Sequence, residues 1–217
     1  MPVTLVLRHR RDQSPFRRLL LGLVTAPGAS SVILGSGYIW EPSPPCSYRV
    51  LPDQLGTAIA NGCANGEVTL IAGKLTRAKW LTYYTNFAAG LSQIHPRVVP
   101  LYAPRKNWHA KLAIRHDAGH IPIAALVGSS NLTGPAFAEP YATWNYECDA
   151  LIWPEDPSLT QYFRDLLRDF PDDHVSRLDL ILDPVVRQPT EAEQLEHLRA
   201  QVLTSGLEPY RQKQEMA

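Results

Sequence analysis

The hydrophobic positions of this chain follow two periods. Short apolar or alternating runs recur: Val3–Leu7, Ser31–Trp40 (SVILGSGYIW), Val68–Ala72, Arg97–Tyr102, His109–His116, Ile121–Val127 and Tyr146–Trp153. Most are rich in β-branched or aromatic residues, HAKLAIRH alternates partly at period two, and each predicts a strand. Pro100 lacks a ladder donor and marks its strand as an edge. Helical spacing fills several gaps. Asp53 opens a short helix that ends near Gly62. Thr76 caps a longer one in which Trp80, Tyr83, Tyr84, Phe87 and Leu91 share a face expected to be core. Asp156-Pro157 opens a third, with Leu159, Tyr162, Phe163, Leu166, Leu167 and Phe170 repeating at three and four.

These alternating strands and helices predict an α/β domain with a mixed sheet flanked by helices over residues 1–171. Pro171-Asp172-Asp173 stops the last helix of that domain. Thr190–Glu193 (TEAE) is a capping box that opens a polar helix, so 172–217 is expected to be a C-terminal helical appendage. The stretch Glu41–Pro45 (EPSPP) reads as a rigid loop.

Composition narrows the class. Of 217 residues, 45% are hydrophobic, enough to bury a core. The apolar run Leu19–Val24 is far shorter than the ~20 residues that span a bilayer. Arg8, Arg10, Arg11 and Asp12 interrupt any secretory apolar segment. Cys46, Cys63 and Cys148 are too few and scattered for a disulfide framework. These features predict a soluble, cytoplasmic protein with no membrane partner. The formal net charge of zero conceals an asymmetry. Residues 1–120 carry 14 Lys+Arg against 5 Asp+Glu, and residues 121–217 carry 7 against 16. If the basic half forms one face, it attracts a polyanion such as nucleic acid.

The segment 107–150 holds the candidate chemistry. In His109-Ala110-Lys111 the imidazole and the ammonium are two residues apart, so on a strand they share a face. The ammonium favours a neutral, nucleophilic imidazole and binds an anionic oxygen. Gly128-Ser129-Ser130-Asn131 follows an apolar strand and offers hydroxyl, amide and backbone donors to an oxyanion. Asn145-Tyr146-Glu147 opens the next strand, and a carboxylate there can orient the imidazole. Two other readings compete. His109, His116, His120 and Cys148 are conceivable zinc ligands, although no CxxC or helical HxxxH pattern accompanies them. Ser129 or Ser130 as nucleophile lacks the GxSxG elbow.

The ordered set HAK, GSSNLT and NYE resembles the phospholipase D superfamily signature HxK…GSxN…NxE. The phrase GSSNLTGPAF is especially similar to the small nucleases and restriction-type endonucleases of that superfamily. One position departs: the family often carries Asp five residues after the lysine, and here His116 stands there, followed by Asp117. The resemblance implies a phospholipase D-like fold and a phosphodiesterase that needs no metal or other cofactor. It assigns His109, Lys111, Ser129, Asn131 and Glu147 as catalytic. His109 attacks phosphorus; Lys111 and Asn131 hold the non-bridging oxygens; Ser129 supports a phosphate oxygen or fixes its neighbours; Glu147 hydrogen-bonds the other nitrogen of His109. The chain has one HxK, and family members with one copy form a homodimer with a composite site.

For the substrate, DNA or RNA is the first expectation, with Lys74, Arg105, Lys106, Tyr38 and Trp108 as binding residues. Lys74, Arg77 and Lys79 cluster at a strand–helix junction suited to phosphate. Tyr38, Trp40 and Trp108 lie near strand ends and can stack on bases. Two alternatives stand beside the nuclease: a nucleic-acid-binding or partner-activated subunit of a larger complex, and a phospholipase. A regulatory or recognition protein partner, and a role in restriction or anti-phage defence, are further expectations from the resemblance.

Overall fold

A computed structural model of the chain describes residues 2–8, 12–28, 30–41, 49–73, 78–103, 108–139, 144–168, 170 and 175–181, with 193, 195–196, 199–200, 203 and 208–209. Its centre is one mixed sheet. The strands are β1 (Pro2–Arg8), β2 (Ser31–Ser36), β3 (Val68–Ala72), β4 (Val98–Tyr102), β5 (Lys111–His116), β6 (Pro122–Gly128), β7 (Glu147–Ile152), β8 (Val175–Ile181) and β9 (Glu208–Pro209). They lie in the order β8-β1-β7-β6-β5-β2-β3-β4-β9. β2, β3 and β4 are parallel to one another, and every other pairing is antiparallel. This is the α/β class that the periodicity predicts.

Alternation along the central strands builds two apolar layers. Val32 and Leu34, Val68 and Leu70, Ala113, Ala124 and Leu126 face the larger cluster. Ile33, Ile71, Leu112, Ile114 and Ala125 face the smaller one, which Leu195 completes. The larger layer is covered by helices α1 (Pro15–Thr25), α2 (Gly56–Gly62), α3 (Ala78–Ile94), α4 (Gly134–Phe137) and α5 (Pro157–Arg168). A π-helical turn at Leu51–Leu55 leads into α2. Helix α1 was not among the predicted elements. Its signals are Ser14, whose hydroxyl accepts from Arg17 N at 3.1 Å, and Pro15 at the first helical position. At the start of α5, Asp156 accepts from Leu159 N at 2.8 Å, as its capping position predicts.

The described part of 172–217 departs from an all-helical appendage. Residues 175–181 form β8, the edge strand beside β1, and 208–209 pair with β4. Within VSRLDLI the run Arg177–Leu180 alternates at period two, and pairing with β1 makes the segment a strand. Glu193, Leu195, Glu196, Arg199, Ala200 and Leu203 are helical, and Leu195 packs against the sheet. Residues 190–192 of the expected capping box lie outside the described residues. Pro100 sits where β4 pairs with β3 on one side; β9 covers only Leu101 and Tyr102. The strand itself lies between β3 and β9, inside the sheet rather than at its edge.

Candidate active site

The sheet gathers the three motifs at one end. β5 runs antiparallel to β2 and β6, so its start at Lys111 lies opposite Gly128 and next to the end of β2. β7 begins at Glu147, opposite the end of β1. The carboxyl ends of parallel β2 and β3 therefore share an edge with HAK, GSSN and NYE, where open α/β sheets place ligands.

His109 is exposed and lies just before β5 rather than on it. The side-by-side placement of imidazole and ammonium therefore comes from a turn of chain. Lys111 Nζ donates to the His109 carbonyl at 2.7 Å and lies 3.4 Å from Nδ1 of the ring. Close backbone packing seats this turn. A Cβ on Gly37 would come within 3.1 Å of Trp108 O, 3.5 Å of His109 Cα and 3.6 Å of Asn131 Oδ1. Glycine thus lets the chain after β2 pass against both the HAK and the GSSN segments.

Asn131 is fixed through its side-chain oxygen. Oδ1 accepts from Tyr38 N at 3.1 Å and lies 3.2 Å from the Ser36 hydroxyl. That leaves the amide NH₂ as the donating end. Ser36 also accepts from Leu132 N at 3.1 Å. Ser129 and Glu147 are directly hydrogen-bonded, the hydroxyl donating to Oε2. Oε1 of Glu147 accepts from the Asn145 amide at 3.1 Å. The carboxylate expected to orient His109 is thus engaged with Ser129 and Asn145, because its strand faces the end of β6 rather than the start of β5.

Sequence reasoning missed Asp149. It is 3% exposed and follows Glu147 by two residues on β7, so both point to one face. Oδ1 accepts from Ser130 N at 3.2 Å, and Oδ2 accepts from the Ser130 hydroxyl at 2.6 Å. Burial pushes its pKa up to about 6, against the pull of the Ser130 bonds. A Cβ on Gly128 would come within 2.6 Å of Cys148 O, so glycine is what lets the turn close over β7. Arg8 is buried at the end of β1 and donates to Pro135 O at 2.9 Å and Ala136 O at 3.0 Å. It ties down the chain that leaves GSSN. The alternating acid pair in YECD and the charge ending β1 were the available signals.

Among the expected binding residues, Tyr38 stands edge-on to His109, with ring centroids 6.4 Å apart at 85°. Trp108 is half-buried; its ring packs against the smaller apolar cluster and its indole donates to Ala110 O at 3.0 Å. Lys74, Arg105 and Lys106, with Arg77, lie outside the described residues. Trp80 and Tyr83 differ from expectation. The core face of α3 is Tyr84, Phe87, Ala88 and Leu91, whereas Trp80 and Tyr83 are half-buried beside residues 38–40. They stand in the first turns of α3, ahead of the residues that meet the core.

The zinc reading does not survive the placement. His109 precedes β5 and His116 ends it, roughly 20 Å apart at strand rise. Among the described residues no three His, Cys, Asp or Glu side chains are grouped to hold a metal ion. Nor is any described helix long and apolar enough to cross a membrane.

No protein-family model and no curated protein matches the chain. Solved structures do. A phosphatidylserine synthase from Haemophilus influenzae aligns with 81% of this chain and 40% of its own at 14% identity and a TM-score of 0.40. A yeast tyrosyl-DNA phosphodiesterase aligns with 68% of this chain and 32% of its own at 16% identity and a TM-score of 0.38. The chain spans less than half the length of either.

Proposed function

We propose that the chain is a phospholipase D-like phosphodiesterase that hydrolyses nucleic acid through a phosphohistidine intermediate. The observation that carries this reading is the convergence of the three motifs at one sheet edge, with the imidazole and ammonium of His109 and Lys111 3.4 Å apart. A cation beside a nucleophilic ring is what attack on an anionic phosphodiester requires. The basic balance of residues 1–120 favours a polyanionic substrate.

In the proposed reaction a nitrogen of His109 attacks phosphorus. The N–P bond forms as the P–O bond to the leaving strand breaks, and the leaving oxygen takes a proton from His109 of the partner subunit. That imidazole, now neutral, removes a proton from water as the water oxygen attacks phosphorus and the N–P bond breaks. Lys111 and the NH₂ of Asn131 hold the non-bridging oxygens. Ser129 and Glu147 fix the GSSN turn against the NYE strand through their direct hydrogen bond. The chain has a single HxK, so the two histidines come from two copies of the chain in a homodimer.

The direct test is chemical trapping. Bis(p-nitrophenyl) phosphate mixed with the protein and quenched in alkali should leave one phosphoryl adduct per turnover site, mapped by mass spectrometry to His109. An adduct on another residue, or steady turnover with His109 replaced by alanine, overturns the proposal.

A further inference from the structure

Four aromatic rings and a lysine lead away from His109. Tyr38 meets His109 edge-on and lies 4.6 Å from Trp80, centroid to centroid. Trp80 lies 6.1 Å from Tyr83, and Tyr83 stacks on Trp40 at 5.6 Å with planes 20° apart. Lys79 Nζ stands 5.9 Å from the Trp40 ring and 5.6 Å from the Tyr83 ring. None of the four rings belongs to either core cluster, and each is half-buried while Lys79 is exposed. The Trp40 indole N–H is shielded from solvent with no acceptor among the described residues.

Two elements cooperate to build this array. The chain after β2 supplies Tyr38 and Trp40, and the first turns of α3 supply Lys79, Trp80 and Tyr83. Tyr38 joins the array to the site directly, since its backbone N–H holds Asn131. A ring ledge continuous with a phosphodiester-cleaving centre calls for a substrate with flat faces and phosphates in one chain.

We infer that this ledge is the path of a single strand of nucleic acid, whose bases stack on the rings while Lys79 meets a phosphate. The inference rests on the phosphodiesterase reading and names its substrate class. Every base has a π-face, so rings bind an unpaired strand with little regard to sequence. In a duplex those faces are covered by neighbouring pairs, and reaching the rings requires unstacking. Amphipathic ring tips and an exposed ammonium suit a strand better than an acyl chain.

The test uses the His109→Ala protein in EDTA, so that no strand is cut. Anisotropy of a fluorescein-labelled oligothymidylate 20-mer is compared with that of a labelled 20-bp duplex at one salt concentration. The single strand should bind at least about ten-fold more tightly. Adding Trp80→Ala or Tyr83→Ala should weaken it about ten-fold, and Trp80→Phe should restore most of the loss. Should an alanine variant fail to fold by circular dichroism, quenching of tryptophan emission by the strand and a loss of binding with the exposed Lys79→Ala still decide the matter.

Equal affinity for the duplex, or ring variants that bind like the parent, overturns the inference. So does binding to phosphatidylglycerol vesicles without binding to the oligonucleotide, which assigns the ledge to lipid. The two proposals fail separately. A His109 adduct with ring-independent strand binding removes only the ledge. Ring-dependent strand binding with no His109 chemistry removes the phosphodiesterase.

Discussion

The Lys111 ammonium donates to the backbone carbonyl of His109 at 2.7 Å and stands 3.4 Å from its Nδ1. One lysine thus fixes the turn that presents the imidazole and supplies charge beside it. Replacing Lys111 with glutamine keeps a donor of similar reach but removes the charge. Turnover of bis(p-nitrophenyl) phosphate should fall by roughly two to three orders of magnitude. Steady-state kinetics on a variant with an unchanged melting curve checks this; a loss below ten-fold would place the charge outside the reaction.

Asp149 carries the GSSN turn from beneath. Asp149→Ala leaves the N–H and hydroxyl of a buried Ser130 without their acceptors, a loss of about 1–3 kcal/mol for unmet buried donors. Asp149→Asn keeps an acceptor and should lose less. Urea midpoints of the two variants give the comparison. Equal midpoints would mean that water replaces the carboxyl at no cost.

Two buried groups give the stability opposite pH slopes. Asp149 titrates at about 6 in the folded protein because burial penalises its charge. Folded protein then holds a proton that the unfolded chain has released, so its contribution is full below about pH 4 and is lost as pH rises through 6. His116 is pushed down to about 4 by burial first, then by the charges of Arg199, Arg115 and His120. Its contribution is full above about pH 6.5 and is lost as pH falls through 4. Between these limits the two partly cancel. Asp149→Asn should therefore make stability rise with pH across this window, and His116→Gln should make it fall. Denaturant titrations at several pH values read the slopes; unchanged slopes would contradict the buried placements.

The proposed composite site requires two copies of the chain. Sedimentation equilibrium should give twice 24.2 kDa for active protein. Mixing wild type with excess His109→Ala protein under subunit exchange should suppress activity beyond simple dilution, because a mixed dimer lacks one of its two histidines. Activity that scales with wild type alone, at monomer mass, would contradict the arrangement.

Much of this was legible in the chain. The near-continuous apolar runs SVILGS and VTLIA reflect strands buried on both faces, KLAIRH alternates in part, and the sheet holds all three as strands. HAK, GSSN and NYE were locatable because each is a short run at a strand boundary. What the sequence concealed depends on long-range pairing. Glu147 bonds Ser129 because of which strand ends face each other, and no local pattern encodes that. Asp149 lies two residues from a recognised acid, yet it is buried where the turn after β6 brings the Ser130 N–H and hydroxyl onto its carboxylate. Trp80 and Tyr83 share a helical face with core residues. Only the position of α3 against residues 38–40 places them at the site. In 172–217 the strand at 175–181 alternates only over Arg177–Leu180 and becomes a strand by pairing with β1.

Cleavage in chelator tests the central claim most directly. Labelled single- and double-stranded DNA and RNA are incubated in EDTA with wild-type protein and with His109→Ala. The account predicts cleavage by the wild type and a loss of several orders of magnitude in the variant, with its fold unchanged. Cleavage retained by His109→Ala would contradict it.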